Sequence, residues 1–171
     1  DLCNFLVGDI VNLTGFKRNI IPKRPITKNS KMLENVTVDD YASCLCETKK
    51  GITGILDVSR LSMGSIDELT LTISGTKGSL KWNLEDLNFY KHLTNDGSKK
   101  VFAVNNFHNL IDFPPPKVSN GWLRAHTHCV YQYISRVNNI KLPKKELEYI
   151  PSFEDGHKVQ TSLNAFTNYN T

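Results

Sequence analysis

Between Glu68 and Trp82 the chain reads Glu-Leu-Thr-Leu-Thr-Ile-Ser-Gly-Thr-Lys-Gly-Ser-Leu-Lys-Trp, the stretch that most narrows what this protein can fold into. Leu69, Leu71 and Ile73 alternate with Thr70, Thr72 and Ser74, so an extended backbone has one apolar and one hydroxylated face. Gly75-Thr76-Lys77-Gly78 then supplies turn chemistry, and Leu80 and Trp82 resume the alternation on a return strand. No helix follows to aim its N-terminus at an anion, so these glycines read as a hairpin turn and not as a phosphate-cradling loop.

Other segments repeat the pattern. A strand is expected over Asp9 to Phe16, then a long connection over Lys17 to Val38. Asp39-Asp40 opens a strand over Tyr41 to Thr48. Lys49-Lys50-Gly51 turns it, and Ile52 to Leu61 returns. Two short strands, Leu87 to His92 and Lys99 to Val104, flank Thr94-Asn95-Asp96-Gly97. Residues 105 to 120, with Pro114-Pro115-Pro116, have polyproline character. Trp122 to Asn138 has helical periodicity, with Trp122, Ala125, Cys129, Val130, Ile134 and Val137 as the expected core stripe. Pro143 and Pro151 bound an extended piece. Ser152-Phe153-Glu154-Asp155 is a capping-box pattern opening a last helix whose stripe is Val159, Leu163 and Phe166. Gly156 in its first turn suggests a close backbone approach. Asp1 to Gly8 reads as the tail of a helix closed by Gly8, which suggests that the chain is a fragment. The order, a helix tail, five to seven strands and two helices, predicts an α+β fold. An open, mainly antiparallel sheet should carry helices on one face. Its hydroxylated face is left bare, open to solvent or to self-association.

The 171 residues, 39% hydrophobic, suit one domain, and the formal charge of +4 is spread over loop lysines. A nucleic-acid partner is not expected, nor a membrane span, since no apolar run nears about 20 residues. Cys3, Cys44, Cys46 and Cys129 form no C-x-x-C pair and read as reduced thiols, which suits a cytoplasmic protein. The sequons at Asn12 and Asn35 read as chance matches without a secretory signal.

Candidate chemistry is sparse. His126-Thr127-His128 cannot share a metal ion, because helical residues two apart diverge by roughly 200°. His126 reads either as a hydrogen-bonded, half-buried histidine or as a donor to a substrate hydroxyl. Arg60, ending the more apolar row of its strand, either snorkels at the sheet edge or greets an anionic or hydroxylated ligand. His92, His108 and His157 read as structural. The chain has no Gly-x-Ser-x-Gly, no paired carboxylates at helical spacing and no Gly-x-Gly-x-x-Gly. Residues alone therefore point to a substrate-binding or interaction module, with no catalytic, cofactor-binding or metal-binding residue assigned.

Five stretches together resemble the C-terminal domain of the Gfo/Idh/MocA family of NAD(P)-dependent oxidoreductases. They are Asp1 to Gly8; Val38-Asp39-Asp40-Tyr41-Ala42; Lys50 to Gly54 with Val58-Ser59-Arg60; Glu68 to Leu80; and Pro151 to Gly156. The resemblance implies an open sheet similar to that of glyceraldehyde-3-phosphate dehydrogenase, holding substrate and mediating oligomers across residues 1 to 171. It implies a sugar, inositol or related polyol as substrate, and NAD or NADP bound by a separate Rossmann domain. The family's Glu-Lys-Pro lysine and Asp-x-x-x-His motif would precede Asp1. Pocket roles remain, for which Arg60, Trp122 and His126 are the candidates. The rival reading is a non-catalytic self-association or ligand-binding module.

Overall fold

A computed structural model of the protein describes residues 1–103, 121–142 and 150–168. The expected polyproline segment, His108 and Pro143 lie outside these residues. The fold is α+β with antiparallel strand pairing throughout the described sheets. Two compact units divide the chain, one built from residues 1–63 and 151–171 and the other from residues 64–150.

In the first unit, α1 (Leu2–Val7) ends at Gly8, whose φ of 115° is open to glycine at little cost. Strand β1 (Ile10–Arg18) pairs with β4 (Tyr41–Thr48), which pairs with β5 (Thr53–Ser59). The expected long connection contains a two-stranded hairpin of its own, β2 (Lys23–Pro25) and β3 (Leu33–Asn35). These three-residue strands carry no alternation long enough to read from sequence. Helix α3 (Phe153–Asn168) packs on β1.

The capping box opening α3 is present. The Asp155 carboxylate accepts from the Ser152 amide at 2.8 Å and the Ser152 hydroxyl at 2.7 Å, while the Asp155 amide donates back to that hydroxyl at 3.3 Å. Gly156 departs from expectation. A Cβ built there has nothing within 4 Å, so no close approach requires the glycine.

The second unit carries a four-stranded meander, β6 (Thr70–Gly75), β7 (Gly78–Asn83), β8 (Phe89–Thr94) and β9 (Gly97–Phe102). Both two-residue turns fall where the glycines indicated, with Gly78 at φ 148° and Gly97 at φ 123°. Leu71, Trp82, Tyr90 and Val101 stand opposite one another across the sheet, a row set by the alternation.

Helix α2 (Trp122–Val137) overturns its expected core stripe. Trp122, Ala125, Cys129, Val130, Ile134 and Val137 are all exposed, and the buried residues are Arg124, His128 and Ser135. Spacing identified an amphipathic helix, but it could not say which face the protein would bury. The helix ends on Asn139, in the left-handed region at φ 56°, with the Ile140 amide donating to the Ser135 carbonyl at 2.8 Å.

Candidate functional site

In the first unit, the pairing of β1 with β4 and of β4 with β5 sets three rows on one sheet face. These are Leu13, Cys46 and Gly54; Gly15, Cys44 and Leu56; and Lys17, Ala42 and Val58. The side chains at the middle of this face are small. They leave a hollow of about 330 Å³ beneath α3, whose Val159, Ser162 and Leu163 form the other wall. That volume is at the lower end of small-molecule sites, about 300–1,000 Å³.

The polar residues on the walls are Asp1, Asn4, Lys17, Asp39 and Ser162. Two of them have structural duties. The Asn4 side-chain oxygen accepts from the Ile10 amide at 3.2 Å, and the Ser162 hydroxyl donates to the Lys158 carbonyl at 3.1 Å. Lys17, Asp39 and Asp1 are the charged groups that a hydroxylated ligand would meet. The Cys44 thiol lines the same hollow, and burial pushes its pKa up. The buried Cys46 thiol is pushed up as well, by burial first and then by the neighbouring thiols of Cys3 and Cys44. Protonated thiols are poor nucleophiles, so neither Cys44 nor Cys46 is activated here. All four cysteines are free.

Asp40, only 2% exposed, organises the entrance to β4. Its carboxylate accepts from the Ile21 amide at 2.8 Å, the Ile20 amide at 3.0 Å and the Arg24 guanidinium. The Ile21 hydrogen bond is the leading reason its pKa falls below the usual carboxylate value; burial opposes this, and the Ile20 bond and Arg24 charge add to the lowering. Its backbone carbonyl accepts from the Arg60 amide at 2.9 Å. Asp40 was visible in the sequence only as half of an Asp-Asp pair. Its partners lie 16 to 20 residues away through an irregular segment, beyond the reach of periodicity.

Arg60 follows β5 in the first unit and is exposed. Trp122 and His126 belong to the second unit, on the first turns of α2, and the structure brings these two together. Their rings meet edge-on with centroids 5.4 Å apart. Trp122 is 73% exposed. His126 is exposed and not half-buried, whereas His128, on the opposite side of the helix as its spacing required, is buried.

Residues 1–81 match the GFO/IDH/MocA C-terminal domain. No curated protein matches. Among solved structures, an oxidoreductase domain protein from Kribbella flavida is 28% identical, with a TM-score of 0.80 over 99% of this chain and 44% of its own. An NAD-binding oxidoreductase from Klebsiella pneumoniae is 24% identical, with a TM-score of 0.80 over 98% of this chain and 45% of its own. A levoglucosan dehydrogenase in complex with NADH and levoglucosan is 22% identical, with a TM-score of 0.77 over 98% of this chain and 44% of its own. The chain thus spans under half the length of each of these proteins. Residues 1–81 are similar in sequence to the GFO/IDH/MocA C-terminal domain, and nearly the whole chain shares the fold of the corresponding part of these oxidoreductases.

Proposed function

We propose that this chain is the substrate-binding and subunit-pairing part of an NAD(P)-dependent oxidoreductase acting on a sugar, inositol or related polyol. The observation that carries the reading is the fold match over 98% of the chain to a levoglucosan dehydrogenase solved with NADH and levoglucosan. Hydride would pass between a polyol carbon and nicotinamide, with a protein base taking the hydroxyl proton. The cofactor would be held by residues outside these 171, since the chain has no Gly-x-Gly-x-x-Gly.

Trp122 and His126 suit a polyol. An exposed indole can stack on the C–H face of a sugar ring, and an imidazole one helical turn away can donate to a hydroxyl. Arg60, exposed after β5, is a separate candidate contact within the first unit, where the hollow beneath α3 supplies another place for a small hydroxylated ligand. Subunit pairing would use the face of the first unit's sheet turned away from α3, where Phe16, Leu45 and Ile55 are exposed. A reducing compartment such as the cytosol suits four free thiols.

Isothermal titration of the 171-residue chain with NADH tests the division of labour. No heat of binding is expected, and micromolar binding would place the cofactor on these 171 residues instead. In the full-length protein, Trp122→Ala and His126→Ala should each raise KM for the polyol at least tenfold while leaving that for the nicotinamide unchanged.

A further inference from the structure

Strand register in the second unit aligns residues that are far apart in sequence. Thr72 stands opposite Lys81, Lys81 opposite Lys91, and Lys91 opposite Lys100, one row across all four strands. All four residues are exposed. Neighbouring strands lie about 4.8 Å apart, so the backbones that carry these three lysines span roughly 10 Å. Like charges directly opposite in a sheet destabilise it. Lys100 has its counter-charge, with Nζ 2.9 Å from the Asp86 carboxylate and 3.9 Å from the centre of the Phe89 ring. Lys81 and Lys91 have no ion pair among the described residues.

We propose that Thr72, Lys81 and Lys91 form a binding site for a tetrahedral oxyanion, the phosphate group of a small molecule or free phosphate. Two lysines rooted on adjacent strands about 5 Å apart can both reach one phosphate at charge-assisted hydrogen-bond distances of about 2.8 Å, with the Thr72 hydroxyl on the next strand as a third donor. Two uncompensated lysines are too few for a nucleic acid, which typically engages about 6–10 cationic contacts. This site is independent of the polyol reading, because it lies on the hydroxylated sheet face and uses none of the residues assigned to substrate.

The test is isothermal titration of the full-length protein at constant ionic strength with inorganic phosphate and, separately, glucose 6-phosphate. Saturable binding is expected, weakened at least tenfold by Lys81→Gln or Lys91→Gln and unchanged by Lys77→Gln in the nearby turn. Equal affinity for both probes would identify free phosphate as the ligand. At least tenfold tighter binding of the sugar phosphate, still lost in Lys91→Gln, would identify a phosphorylated molecule. In phosphate-free buffer Lys91→Gln should melt no lower than the wild type, since it relieves a like-charge pair, and added phosphate should raise the wild-type Tm alone. Equal thermal shifts in wild type and variant would overturn the proposal, as would affinity insensitive to Lys81 and Lys91. Tight, steeply salt-dependent binding of an oligonucleotide through these lysines would also overturn it, in favour of a polyanion.

Discussion

One methyl group, added at either of two glycines in the first unit, should have opposite effects. Gly15 sits in β1 opposite Cys44, in the middle of the sheet face that floors the hollow. A Cβ built there would lie 2.2 Å from the Ser43 carbonyl oxygen and 2.5 Å from the Cys44 Cα. Real contacts of this kind need more than 3 Å, so the two strands must part by roughly 1 Å, and backbone cannot swing aside as a side chain can. Overpacking of this sort costs about 1–3 kcal/mol. Each kcal/mol lowers Tm by about 2–4 °C in a chain of this size, so Gly15→Ala should lower Tm by roughly 2–12 °C. Gly156 is the counterpart, in the first turn of α3 with open space around it. There alanine gains about 0.5–1 kcal/mol of helix propensity, and Tm should rise by roughly 1–4 °C. Thermal melts followed by circular dichroism decide the matter. A neutral Gly15→Ala, or a destabilising Gly156→Ala, would refute the packing described for this unit.

Further consequences follow from charge and exposure. The lowered pKa of Asp40 means that its carboxylate stabilises the fold above its unfolded value of about 3.9 and that this contribution is lost as pH falls through the still lower folded value. Asp40→Asn should therefore lower Tm at neutral pH and flatten the acid limb of a Tm-against-pH curve; an unchanged acid limb would remove Asp40 from the account. Lys158 has its pKa raised, chiefly by its hydrogen bond to Asp9, so it stabilises below its unfolded value of about 10.4 and ceases to do so as pH rises through the folded value. Asp9→Asn should thus cost stability at pH 8 and nothing at the alkaline end. Ile55, 71% exposed on the sheet face turned away from α3, is the most direct probe of subunit pairing. Ile55→Glu should shift the full-length protein to monomer in sedimentation velocity, and an unchanged assembly would place the interface elsewhere.

How much of this could be read beforehand depended on whether the information was local. Turn chemistry placed both hairpins of the second unit within two residues, because Gly78 and Gly97 must supply positive φ. Asp155 and Ser152 satisfy each other three residues apart, so α3's start was legible. The row of lysines was half legible, since the Asn95-Asp96 turn alone fixes Lys91 opposite Lys100. Its extension to Lys81 needed the path through Leu84–Asp86, a 3-10 turn that no periodicity announces. The buried face of α2 was misread, because Arg124, His128 and Ser135 contradict the assumption that the more apolar side turns inward. The Asp40 cluster and the hollow beneath α3 were invisible, being products of long-range packing.

Whether a polyol bound here is oxidised by a nicotinamide coenzyme is decided by a 340 nm assay of the full-length protein against a panel of sugars and inositols with NAD+ and NADP+. Coenzyme reduction is expected with at least one polyol, together with a raised KM for that polyol in Trp122→Ala. An inert protein across the panel, or turnover indifferent to Trp122, Arg60 and His126 alike, would contradict the proposed function.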